Sequence, residues 1–429
     1  MVKHRVVMMI LQSADRQELV AVLRDCGPQV HSCRCPLHMA CCLCQALAEE
    51  TQGNKGITKD MRRDIPSLDG IRAVAVSIVF LSHIGLNSIV PGAFGVTVFF
   101  FLSGYLITTL LLREQDHTGD VAIGAFFLRR FLRLTPPLVV TLSVVYAGVL
   151  GGWLPGELNL ISALSQLFYF FNYFQYYAPS DMVQIPDGTD VLWSLSVEEH
   201  FYMGFVLLFV LLHRTMTPRQ QILALVGICM AVLAWRTVLV VGYDAGIGRI
   251  FKATDTRLDS ILYGSVLAYL MRYGQAERLF GTGQGKDAWR MWLWMTLGLG
   301  VLLICFALRD HTFRYTIRYS LQGLAMMPLF YFAVLRGDHP VFAVLNLRWM
   351  IYFGQISYTF YLVHYVIINA IQHYILGANM SLSMGPATLL LSAGMAFVLS
   401  LAFSAAVFHW VEEPMGPLRH RLVKIPQKA

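Results

Sequence analysis

Apolar runs of about 20 residues recur along most of this 429-residue chain, and no other feature limits its fold so severely. A helix of that length crosses the bilayer hydrocarbon, about 30 Å thick, because its backbone polar groups satisfy one another. A water-soluble domain needs polar surface to clothe its core. Only 14% of these residues are Asp, Glu, Lys or Arg, against about 25% in ordinary soluble domains. The pattern predicts an all-α polytopic transmembrane bundle. The net charge of +7 then belongs to loops on one side of a lipid bilayer, and a nucleic-acid partner is not expected.

Ten spans are predicted, at 68–90, 93–112, 134–152, 193–212, 220–241, 258–272, 289–308, 317–335, 350–376 and 386–411. The stretch 158–174 merges into the aromatic run LFYFFNYFQYY, a composition suited to the membrane–water interface. Charge arbitrates its placement. If it does not cross, Arg62, Arg63, Arg129, Arg130, Arg133, Arg214, Arg219, Arg272, Lys286, Arg336 and Arg348 all fall on one side. By the positive-inside rule that side is the cytoplasm, with both termini there and the acidic loop SDMVQIPDGTD (180–190) outside. A crossing at 158–174 would scatter this bias, so an interfacial or re-entrant element is predicted.

Three regions follow: a cysteine-rich N-terminal extension over 1–60, a membrane domain over 61–417 and a basic tail over 418–429. The extension holds Cys26, Cys33, Cys35, Cys41, Cys42 and Cys44, with His38 nearby. Spacings of the C-x-C and C-C-x-C kind miss the paired C-x2-C units of zinc sites, and no metal is expected. The extension reads as a disordered tail, or as a stretch outside the natural protein. Met61, followed by RRDIPSLDG, reads as the natural start.

Within the spans, ionisable residues are costly and mark function by default. In LDGIRAVAVSIVFLSH (68–83), Arg72 and His83 share one helix face, roughly 16 Å apart along the axis, and Asp69 lies one turn before Arg72. The plainer reading of Arg72 is a snorkelling interfacial residue, and of His83 a hydrogen bond to a neighbouring helix. In LWSLSVEEHFY (192–202), Glu198 lies about 8 Å below the outer end of its span and His83 about 10 Å below its own. A carboxylate near an imidazole makes it a better base, so Glu198 and His83 are predicted to work together. The competing reading has Glu198 and Glu199 merely favouring a helix N-terminus.

In FFLRRFLRLTPP (126–137), Arg129, Arg130 and Arg133 stand at the predicted cytoplasmic edge, where their forks suit phosphate or simply anchor the helix. Arg257 and Asp259 in TDTRLDSILYG are predicted to orient an acceptor or to pair with each other. Ser357, Tyr361, His364 and Tyr365 in ISYTFYLVHY are further intramembrane polar groups, with a structural hydrogen bond expected of His364. VEEPMGP (411–417) reads as a helix stop at Pro414.

Taken in order, LDGIRAVAVSIVFLSH, FFFLSGYLIT, FFLRRFLRLTPP, LWSLSVEEHFY, TDTRLDSILYG, ISYTFYLVHY and VEEP resemble the acyltransferase 3 family over about 66–417. These are integral-membrane O-acyltransferases that modify sugars of lipopolysaccharide, exopolysaccharide, Nod factors and some macrolides. The family's arginine–x10–histidine element matches Arg72 and His83, its R-x-x-R element matches Arg130 and Arg133, and its glutamate before Phe-Tyr matches Glu198. His200 stands where members commonly have glutamine. The resemblance implies acyl-CoA, with acetyl-CoA as the default, as donor co-substrate. It also implies a carbohydrate or glycolipid acceptor and a bacterial inner (plasma) membrane. Many relatives add a soluble esterase-like domain at the C-terminus. The sequence given ends soon after the last span, so acyl handover is expected within the membrane domain or through a separate protein.

On physics alone, buried charges and aromatics in such a bundle also serve a transporter or flippase of lipid-linked glycans. The sequence lacks the paired, helix-broken half-repeats typical of that class. A purely structural subunit would not need ionisable groups at matching depth.

Overall fold

A computed structural model of the protein describes residues 66–422. The cysteine-rich extension, the Met61 start and the last residues of the basic tail lie outside the described residues. The described residues are helical throughout, apart from loops and one isolated bridge between Gly156 and Pro186.

The helices sit where the apolar runs demand. They are α1 (Pro66–Leu81, continued by a π-type turn over Ser82–Leu86), α2 (Gly92–Thr118), α3 (Ile123–Leu150), α4 (Leu160–Leu167), α5 (Phe171–Tyr177), α6 (Trp193–Thr215) and α7 (Pro218–Thr237). Then come α8 (Thr254–Arg272), α9 (Ala288–Ala307), α10 (Arg318–Leu335), α11 (Arg348–Gln355), α12 (Ser357–Ile371) and α13 (Pro386–Val407). Among the described residues, seven helices are long and apolar enough to cross a membrane, or eight if the pair α11–α12, bent by 72°, is one span. The ten expected spans thus each have a helix, but α8 and α10 fall outside that set. In α8 the reason is charge: it carries Asp255, Arg257, Asp259 and Arg272 in 19 residues. It is buried on almost every side, so its neighbours are protein rather than lipid. Between them, α4 and α5 have eight and seven residues, too short to span. They break at Tyr169, whose φ of 60° is rare for a non-glycine residue.

The core is built around α2 and α8. Gly104 of α2 faces the Ile261 carbonyl, and Gly264 of α8 faces the Phe101 carbonyl. A Cβ at either position would overlap those backbone oxygens, so the two helices meet main chain to main chain. Ser265 Oγ donates across this contact to the Gly104 carbonyl at 3.3 Å. Helix α1 packs against α2 and α11, and α12 against α13.

One expected boundary differs. Pro414 does not end the last helix. The helix runs on through a π-type turn over Phe408–Glu412 into a further α-helical stretch, Glu413–Leu422, that contains Pro414.

Candidate active site

Helix α1 loses its regular geometry at Ser82–Leu86. Ile84 and Gly85 leave helical dihedrals there, Gly85 at φ 92°. Glycine is required twice over: for that dihedral, and because a Cβ would strike the Met380 backbone. Beside this break, His83 lines a cavity of about 500 Å³. The remaining wall is polar and uncharged, with Asn87, Asn369, Gln372, Asn379 and Ser381 among its residues. Amides and hydroxyls of this kind recognise hydroxyl-rich, uncharged ligands by exchanging hydrogen bonds.

The other side of His83 is packed. Its ring stacks on Tyr365 at 4.2 Å between centroids, and its Nδ1 lies 3.0 Å from Nε2 of His364. His364 is fully buried, stacked against Phe360. Its Nδ1 lies 2.8 Å from the Tyr361 carbonyl. The Tyr361 hydroxyl meets Ser194 Oγ at 2.8 Å and donates to the Val191 carbonyl at 3.0 Å. The imidazole therefore meets a second imidazole where a carboxylate was expected.

Glu198 and Glu199 instead surround Arg130. The guanidinium donates from Nε to Glu199 at 2.9 Å, lies 3.9 Å from Glu198, and covers the Tyr202 ring at 3.1 Å. Tyr202 Oη donates to Glu198 at 3.3 Å. Tyr169 adjoins this cluster from the break between α4 and α5. Burial, and then the negative charge of Glu199, push its phenol up to about 12. Neither glutamate is limited to helix capping.

The three arginines of α3 do not share one environment. Arg129 pairs with Glu114 at 2.8 Å, Arg130 turns inward as described, and Arg133 is exposed. Helical phase sets Arg129 about 100° from Arg130. But Arg130 and Arg133 both lie within about 40° of the buried Phe126 and Pro137, so it is the pairing with Glu198 and Glu199 of α6 that distinguishes Arg130. Arg72 and Asp69 form the expected one-turn pair at 2.8 Å, both partly buried.

Arg257 and Asp259 are both buried but do not pair. Asp259 receives a fork from Arg236 at 2.9 and 2.8 Å and a hydrogen bond from Ser320 at 2.7 Å. Arg257 donates to Thr97 at 2.9 Å and lies over the Tyr319 ring at 3.9 Å. Sequence reasoning missed Arg236. Its signal was present, as an arginine inside the apolar run 220–241. Among the described residues no three of His, Cys, Asp and Glu group as metal ligands.

A family model described as an acyltransferase domain matches residues 65–408. The chain is similar to a peptidoglycan O-acetyltransferase, OatA, of Listeria monocytogenes. The identity is 30% over 331 residues, covering 73% of this chain and 51% of that protein. It is also similar to an O-acetyltransferase, OatA, of Staphylococcus aureus, at 28% identity over 326 residues, covering 73% of this chain and 52% of that one. The chain spans about half the length of the curated relatives it matches. No solved structure matches it.

Proposed function

Because the chain belongs to the acyltransferase 3 family, which its domain match over 65–408 establishes, we propose that it moves an acetyl group from acetyl-CoA to a hydroxyl of a glycan. The observation that carries this is His83, set in the wall of an uncharged polar cavity of about 500 Å³ and held from behind by His364. The O-acetyltransferase relatives support the reaction class.

The reading places ten helical passes in a bacterial inner membrane, with both chain ends and the arginine-rich edge of α3 cytoplasmic. The donor docks there, with Arg129, Arg133 and Arg72 meeting its phosphates and Arg130 ordering the same region from within. The glycan enters the cavity beside His83 from the opposite side. His83 takes the proton of the acceptor hydroxyl. The oxygen adds to the thioester carbonyl, forming a C–O bond. The C–S bond then breaks, and the leaving thiolate takes the proton from the imidazolium. Glu198 acts on this chemistry through Arg130 rather than by touching His83.

Membranes containing the protein, given labelled acetyl-CoA and glycan, are expected to yield labelled glycan, whereas a glycan transporter would yield none. His83→Ala is expected to insert normally and lose at least about 100-fold in turnover. Near-normal turnover by purified His83→Ala would refute the assignment.

A further inference from the structure

The hydrogen-bond chain behind His83 fixes where its proton sits. A backbone carbonyl can only accept, so the 2.8 Å contact between the Tyr361 carbonyl and His364 Nδ1 requires the hydrogen on that nitrogen. In a neutral imidazole the other nitrogen, Nε2, is then an acceptor. His83 Nδ1, 3.0 Å from it, must supply the hydrogen. That leaves the lone pair of His83 on Nε2, in a ring that lines the cavity. Left alone in water, a histidine ring favours the opposite tautomer, with its hydrogen on Nε2 and no lone pair there to receive a proton.

We propose that His364 is a positioning residue that holds His83 in its Nδ1–H tautomer and steadies the imidazolium formed when His83 takes a proton. This rests on the acetyl-transfer reading above and adds to it a residue role. The use of an imidazole rather than a carboxylate has a physical reason. Position 364 is fully buried, between the Phe360 ring and the Tyr361 backbone, in a helix buried over most of its length. A carboxylate there would stay charged through the resting state with no cation in contact. A neutral imidazole accepts the same hydrogen bond without burying an ion. Stacking of Tyr365 on His83 at 4.2 Å keeps the ring plane aligned with this chain.

The test combines a spectroscopic and a kinetic readout. In full-length protein with 15N-labelled histidine in bilayers, the His83 signal is the one lost in His83→Asn. It is expected to show a protonated Nδ1 and an unprotonated Nε2. His364→Leu is expected to move the hydrogen to Nε2 and to lower kcat for acetyl transfer by about 100-fold. The KM for acetyl-CoA should stay within about twofold, because His364 touches no donor-site residue. His364→Gln, whose amide oxygen can accept at the place of Nε2, is expected to recover kcat to within about tenfold of the wild type. A wild-type His83 found with its hydrogen on Nε2 would overturn the inference, as would His364→Leu turning over like the wild type. If His364→Leu does not fold, the wild-type tautomer and the His364→Gln rates still decide. Absence of acetyl transfer by the wild-type protein would count against the proposed function, and the tautomer would still be read independently.

Discussion

The buried pair of Arg236 and Asp259 offers the sharpest energetic test of this fold. Both side chains are fully shielded. Arg236 forms two bonds to Asp259, one to Ser320 and one each to the carbonyls of Thr256 and Thr316, tying α7 to α8 and to the start of α10. Arg236→Met keeps most of the volume but abandons the carboxylate. Breaking a buried pair in this way costs about 3–5 kcal/mol, because the remaining charge has no partner. The double variant Arg236→Met/Asp259→Leu removes both charges. It should then lack only the bonds to two carbonyls and a serine, a deficit of about 1–3 kcal/mol. Thermal unfolding in detergent, followed by tryptophan fluorescence, should show Tm falling by on the order of 10 °C in the single variant and by about half of that or less in the double. A double variant as unstable as the single one would refute the argument. It would mean that the carbonyl bonds, and not the uncompensated aspartate, dominate.

Two further outcomes are expected. Arg130→Ala, which removes the bond to Glu199 that orders the donor edge, should raise KM for acetyl-CoA by about tenfold and more than KM for the glycan. The opposite pattern in steady-state kinetics would remove this arginine from the donor side. In intact cells, a cysteine replacing exposed Asp181 should react with a membrane-impermeant maleimide while one replacing exposed Lys286 stays protected. Equal labelling of the two would contradict ten passes with cytoplasmic ends.

Much of this architecture was legible in the sequence, for physical reasons. A helix spanning lipid must be apolar over a fixed length, so the runs at 93–112, 134–152 and 193–212 could hardly become anything else. The Asp69–Arg72 pair was legible because its spacing is one helical turn. The inward turn of Arg130 was not legible, because Arg130 and Arg133 share the helix face of Phe126 and Pro137 and only the distant glutamates of α6 separate them. The His83–His364 contact joins residues 281 positions apart, and nothing local encodes it. The same holds for Asp259, whose choice of Arg236 over Arg257 depends on how α7 settles against α8. His83 and Glu198 stand on different helices, at the end of α1 and in α6. An expected depth says nothing about azimuth, and His83 meets His364 while Glu198 meets Arg130 and Tyr202.

The meeting of α2 and α8 at Gly104 and Gly264 bears on how any long molecule could traverse this protein. Two rods touching along bare main chain have no side chains between them to swing aside, so they form a seam rather than a gate. On the acetyl-transfer reading proposed above, a pantetheine arm or a sugar chain would have to travel around this keel.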